Sequence, residues 1–251
     1  MSPLQIASLV FACVFGSALL GLVMRAILPE HHLSTESRDV VRLGTGLVAT
    51  LAALVLSLLI SSAKGSFDRT NDELVQNAAR MISLDRALGD YGPETAGIRE
   101  LVKRAYATRI DLLFPSEQGQ EPTLAETTLR TDGIRTGLWE LVPRSETQRG
   151  LRSQALEIAN DMSSTRWLLL LQKDQALPTT LLVVLVAWLA VIFVTFGLFA
   201  PRNGTVIAVL FVCALSTSGA ILLILEMNSP FKGLMHISSA PMRHALAELG
   251  K

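Results

Sequence analysis

The sequence predicts an all-α membrane protein, with four transmembrane helices and a helical cytosolic domain inserted between helices 2 and 3. Three observations carry that prediction. Half of the 251 residues are hydrophobic and the mean hydropathy is positive, yet 22 basic and 22 acidic side chains are present, so the apolar residues must be gathered into segments. They fall into four charge-free runs, 1–24, 43–63, 175–201 and 203–225. Each has about 20 residues or more, which at about 1.5 Å per residue crosses a hydrocarbon core of about 30 Å. Most of the charges lie between the second and third runs, in 64–174.

Taken in order, 1–63 supplies the first pair of transmembrane helices, at about 4–28 and 41–63. The first run has no Lys or Arg ahead of it and exceeds the apolar core of a secretory signal, so a retained helix is expected. The domain at 64–174 opens with two apolar stripes at helical spacing. One is Leu74, Ala78, Met81, Ile82 and Leu88; the other is Ile98, Leu101, Val102, Ala105, Leu112 and Leu113. Between them, "LGDYGPE" sets Gly89 and Gly92 where a helix stops and Pro93 where the next begins, which predicts a helical hairpin. From Phe114 to Arg144 the chain reads as an extended connection with a short turn near Trp139. Ser145 and Gln148 fit a capping box that opens a long helix toward the third span, with Pro178 as a kink or restart. The second pair, 175–226, has helices at about 178–200 and 204–226, and the tail 227–251 adds a short helix begun by Ser238 or Ser239 and then Pro241.

Basic residues set the orientation. Lys64, Arg69, Arg80, Arg166, Lys173, Lys232 and Arg243 lie on the side of the central domain, against Arg25, Arg38, Arg42 and Arg202 on the other. That bias places both termini and the central domain in the cytoplasm of a multi-pass protein of the plasma (inner) membrane. Membrane lipid is the obligatory surrounding. The neutral formal charge and the lack of a polybasic block give nucleic acid no footing as a partner. Cys13 and Cys213 sit singly in apolar runs, where buried packing thiols are expected rather than a disulfide or a metal site.

The second run, "GTGLVATLAALVLSLLISSAK", has two faces. Gly46, Thr50, Ala53, Ser57, Ser61 and Lys64 recur at helical spacing on one, while Leu47, Val48, Leu51, Leu54, Val55, Leu58 and Leu59 occupy the rest. Small residues let helices pack closely, with Ser and Thr bonding to backbone. The same face, repeated around an axis, lines a water-filled path, with hydroxyls toward the ion and Ala53 as a constriction. No acid lies on it, and Lys64 at its end adds a positive ring that favours anions over cations. Arg38 and Arg42, four apart just before the run, are candidates for an outer anion vestibule or for interfacial anchors. Glu226, Pro230 and Phe231, in "EMNSPFKG", are expected to form a structural bend. Ser216, Thr217, Ser218 and Gly219 are candidates to line a path or to bond their own helix's carbonyls, with packing the favoured expectation.

No catalytic motif is found: GxSxG, HExxH and GxxxxGK are all absent, no residue cluster has metal-ligand spacing, and no cofactor is implied. The protein is not expected to be an enzyme.

The stretches "LPEHHLSTESRDVVRLGTGLVATLAALVLSLLISSAKGSFD", "LDRALGDYGPE" and "EMNSPFKGLMHIS" resemble the bestrophin-like family of bacterial membrane proteins, over nearly the whole chain. That family is named for its distant similarity to bestrophins, pentameric anion channels with four membrane helices per subunit and cytosolic termini. The resemblance therefore implies a homo-oligomer, a pentamer in bestrophins, with the second membrane helix nearest the axis and inorganic anions such as chloride as permeant partners. Two departures matter. The bestrophin neck is bulky and aromatic whereas Thr50, Ala53 and Ser57 stand here, and no Asp/Glu run resembles the calcium clasp, so neither aromatic gating nor calcium control carries over. The expected function is an oligomeric anion channel; the alternative is a non-conducting scaffold or sensor that recruits a partner through its cytosolic helices.

Overall fold

The computed structural model describes residues 2–28, 35–114, 133–172, 179–231, 233 and 235–251. Within them the fold is all-helical: α1 (Pro3–Ile27), α2 (Thr35–Tyr91), a 3-10 turn (Pro93–Thr95), α3 (Ala96–Leu113), α4 (133–140), α5 (Glu146–Gln172), α6 (Thr179–Phe199), α7 (Gly204–Met227) and α8 (Ala240–Glu248). Helices α1, α2, α6 and α7 are long and apolar enough to cross a membrane, and α3, α4 and α5 intervene between the second and third. Pro178, Lys173, Lys232 and residues 115–132 of the expected extended connection lie outside the described residues.

Local chemistry explains the helix ends. Ser2 caps α1, accepting from the Gln5 amide (3.3 Å) while Gln5 Oε1 accepts from the Ser2 amide (2.9 Å), with Pro3 in the first turn. Asn203 caps α7 through the Val206 amide at 2.9 Å. Helix α2 runs 57 residues without a break, so the second span and the first amphipathic stripe form one helix. Nothing between Thr35 and Tyr91 is Pro, and Gly65 alone cannot stop a helix that is otherwise intact. The stop comes at Gly92, whose φ of +136° only glycine adopts without strain. Thr95 then bonds the Leu88 carbonyl at 2.5 Å, satisfying one of the carbonyls the helix end leaves over.

The chain forms two compact units. One comprises Met1–Phe67 and Gln175–Met235, the other Asp68–Asp174 and His236–Lys251. In the first, α1 packs along α6 and α7 around Val14, Ala18, Leu185, Phe193, Ala214 and Ile221. The α1–α6 crossing is unusually close: a Cβ on Gly21 would overlap the Val194 carbonyl, and one on Gly197 would overlap that of Ala18. Two arginines lock the same end. Arg25 donates to the Ala200 carbonyl at the end of α6, and Arg202 donates to the Leu22 carbonyl of α1 at 2.9 Å.

In the second unit, Leu74, Ala78, Met81 and Leu88 of α2 are buried with Val102, Tyr106 and Ile110 of α3. The α3 stripe is thus centred on Tyr106 and Ile110, which the sequence reading passed over, rather than on Leu112 and Leu113, which are half-buried. The expected turn at Trp139 is instead α4, its last carbonyls at Leu138 and Trp139 taken by Arg152 (3.1 and 2.8 Å), whose guanidinium lies 5.5 Å from the Trp139 ring centroid. Ser145 caps Gln148 as expected, at 3.1 Å, but the Gln148 side chain bridges the Arg144 amide and the Tyr91 carbonyl instead of closing the box. Helix α8 covers α3 with Met242 and Ala245.

Candidate functional site

The apolar part of α2 divides into three stripes. At 100° per residue, Ala52, Leu59 and Ala63 form the buried one, with relative exposures of 4, 3 and 1 %. Gly46, Thr50, Ala53, Ser57, Ser61 and Lys64 all lie exposed, centred about 140° from the buried stripe. Leu47, Leu51, Leu54 and Leu58, exposed as well, run about 90° beyond them. The two-faced reading of the sequence is therefore refined: Val48, Val55 and Leu59 belong to the core side, apart from the outward leucines. Of the four candidate spans α2 is the least covered by its own chain, with 11 % of its apolar window buried against 33 % in α1.

Along the small stripe the hydroxyls differ. Thr50 donates to the Gly46 carbonyl at 2.9 Å, the usual local bond of a helical threonine. Ser57 and Ser61 are exposed and make no hydrogen bond among the described residues. Lys64, at the end of the stripe, holds its ammonium 6.0 Å from the Phe67 ring centroid.

Arg38 and Arg42 lie off the stripe, on the flank opposite the leucines. Arg38 sets its guanidinium 5.9 Å from the Phe199 ring centroid, and its Nε is buried with no hydrogen-bond partner. Arg42 lines a groove of about 600 Å³ between α2, α6 and α7, together with Gly46, Phe196, Phe199 and Val209. Neither arginine forms an ion pair among the described residues.

The bend after α7 is built as a structural element. Glu226 is buried and its Oε2 accepts from the Met235 amide at 3.4 Å, while Gly233, at φ +116°, leaves room for that carboxylate. Pro230 and Phe231 complete the turn beside a cavity of about 610 Å³ that Glu226, Ser2 and Leu4 also line. In α7 the hydroxyls of Thr217 and Ser218 bond their own helix, at Cys213 and Leu215. Cys13 and Cys213 depart from the sequence reading: both thiols are exposed on the single chain, since their helices turn other faces to the core.

One polar cluster was not foreseen, because its members are far apart in sequence. Asp85 is buried and accepts from Arg99 Nε and Nη2 (2.8 and 2.7 Å) and from the Gly250 amide (3.0 Å). Lys103 donates to the Leu249 carbonyl at 2.9 Å, so the tail is tied to the hairpin twice. Burial by itself would raise the Asp85 carboxyl, but the Arg99 hydrogen bonds, the Gly250 amide and the charges of Arg99 and Lys103 outweigh it and hold the group below the ordinary carboxylate value. Tyr106, whose hydroxyl is buried without a partner, is pushed up to about 12 by burial. Among the described residues no group of three or more His, Cys, Asp or Glu could hold a metal ion.

The family model described as "Bestrophin-like domain" matches residues 10–242. No curated protein matches the chain. No solved structure matches it either. With the match running from α1 into α8 and taking in all four candidate spans, the chain belongs to the bestrophin-like family.

Proposed function

We propose that the chain is one subunit of a homo-oligomeric anion channel, with copies of α2 surrounding the axis and the small stripe turned inward. The observation that carries this reading is the division of α2 into three stripes. A helix of a single-chain bundle needs one apolar stripe for its core and one for lipid; α2 has both, and a third that is small, hydroxyl-bearing and free of acid. Ser57 and Ser61 offer O–H donors suited to a partly dehydrated anion, Ala53 narrows the path, and Lys64 raises the local anion concentration at its end. Arg38 and Arg42 add positive potential at the other end. Family membership supports a relation to bestrophin channels, and from bestrophins come the pentamer and chloride as the permeant ion. The protein is then a pore, not an enzyme, in the inner membrane of a bacterium, with both termini and the unit formed by Asp68–Asp174 and His236–Lys251 in the cytoplasm.

Halide flux into liposomes containing the purified protein tests this. Chloride should pass and potassium and a large organic anion should not, and Ser57→Trp should abolish chloride flux while the protein stays folded. Absence of chloride flux from folded wild-type protein would instead make the stripe a packing seam and favour a scaffold that recruits a partner through its cytosolic helices.

A further inference from the structure

The groove beside Arg42 has a composition that conduction along the small stripe leaves unexplained. It begins at the depth where the charge-free run of α2 starts, Arg42 being the residue before Leu43. Along α7 it extends from Thr205 to Cys213, about 12 Å at 1.5 Å per residue, into the hydrocarbon layer. Its walls are apolar, and Arg42 is the one charged side chain among the lining residues. Arg38, one turn earlier, rests over Phe199, which forms part of the wall. Arg38 and Arg42 therefore stand one helical turn apart at the interfacial end, neither in an ion pair among the described residues, and Arg38 has a buried Nε left without an acceptor. A buried charged donor without its acceptor is costly, and the planar guanidinium fork matches a phosphate. Thr205 sits in the first turn of α7, where the helix dipole favours negative charge as well.

We propose that this groove binds an anionic phospholipid, one acyl chain lying between α2, α6 and α7 and the phosphate held by Arg42 together with Arg38. The volume of about 600 Å³ is that of a ligand site. A zwitterionic headgroup would bring an ammonium toward two arginines that have no ion pair among the described residues, so a net negative lipid is selected. A second copy of the chain is the competing occupant, since its leucine stripe is apolar and of matching length. Residues 43–63 carry no acid, however, and a copy seated there would leave Arg42 unbalanced. The groove shares Gly46 and Arg42 with the proposed path, so a bound phosphate would screen the positive potential there, whereas lipid retention is read without any flux.

Native mass spectrometry of the full-length protein, supplied with phosphatidylglycerol or phosphatidylcholine of the same acyl chains, reads the site directly. Wild type should retain phosphatidylglycerol about tenfold more tightly, the worth of one charge-assisted hydrogen bond. Arg42→Gln should remove that preference, and Val209→Trp, at an exposed position of the wall, should lower retention of both lipids. Equal retention of the two lipids by wild type would overturn the proposal, with no variant needed. So would unchanged retention in both folded variants, or efficient disulfide formation between Cys213 of one copy and a Leu51→Cys of another, which would put a second copy in the groove.

Discussion

Gly21→Ala tests the packing on which the candidate spans depend. The added methyl would overlap the Val194 carbonyl and stand 2.9 Å from the Leu198 amide nitrogen. Ordinary contact begins at 3.4 Å, so α1 and α6 must part by about 0.5 Å for the nitrogen and by more for the carbonyl. Both obstacles are backbone, so no flexible side chain can yield. Overpacking costs about 1–3 kcal/mol, and a rigid backbone clash belongs at the upper end, about 3 kcal/mol, less the gain of up to about 1 kcal/mol from replacing a helical glycine. The net loss expected is about 2 kcal/mol. Gly16→Ala, on the same helix with nothing within 4 Å, serves as the control and should be neutral or slightly stabilising. Titration of the purified protein with SDS in mixed micelles, followed by tryptophan emission with Trp188 in α6, gives both values on one scale. Equal stability of the two variants would refute the close crossing.

Two further outcomes concern charge. Asp85→Asn removes one partner from Arg99 and from the Gly250 amide and should cost about 2 kcal/mol, less than a fully buried pair because Arg99 remains partly exposed. Hydrogen exchange of α3 and α8 in the full-length protein would register it. Because the folded Asp85 carboxyl lies below its ordinary value of 3.8, its contribution is complete above that pH and disappears as pH falls through the folded value. Wild type should thus loosen α8 below about pH 4, and Asp85→Asn should lack that component. Lys64→Glu, which reverses the charge at the end of the stripe, should lower chloride flux and raise potassium flux in liposomes; unchanged selectivity would remove Lys64 from the path.

The four spans were legible because charge-free runs of membrane length have few other uses, and the hairpin because Gly92 and Pro93 leave the backbone little choice. The small stripe was legible from spacing alone. The continuity of α2 was not, since polar "SSAKGSFD" resembles a boundary even though it lacks a residue that breaks a helix. Nor could the sequence join Asp85 to Arg99 and Gly250, which are 14 and 165 positions away. The contact of Gly21 with α6 was hidden for the same reason: glycine in a span reads alike whether it meets backbone or open space, as Gly16 does. The groove escaped notice because its walls come from three helices, each of which reads as an ordinary apolar span.

Whether the small stripe of α2 faces water is the point on which the proposed pore stands. Single cysteines at Thr50, Ala53, Ser57 and Ser61, and at Leu54 and Leu58 for comparison, can be placed in a Cys13→Ser, Cys213→Ser background and challenged in liposomes with a charged, membrane-impermeant thiol reagent. Thiolates form in water and not in hydrocarbon, so the four stripe positions should react and the two leucine positions should not. Reaction at Leu54 and Leu58 with protection at Ser57 and Ser61 would contradict the pore.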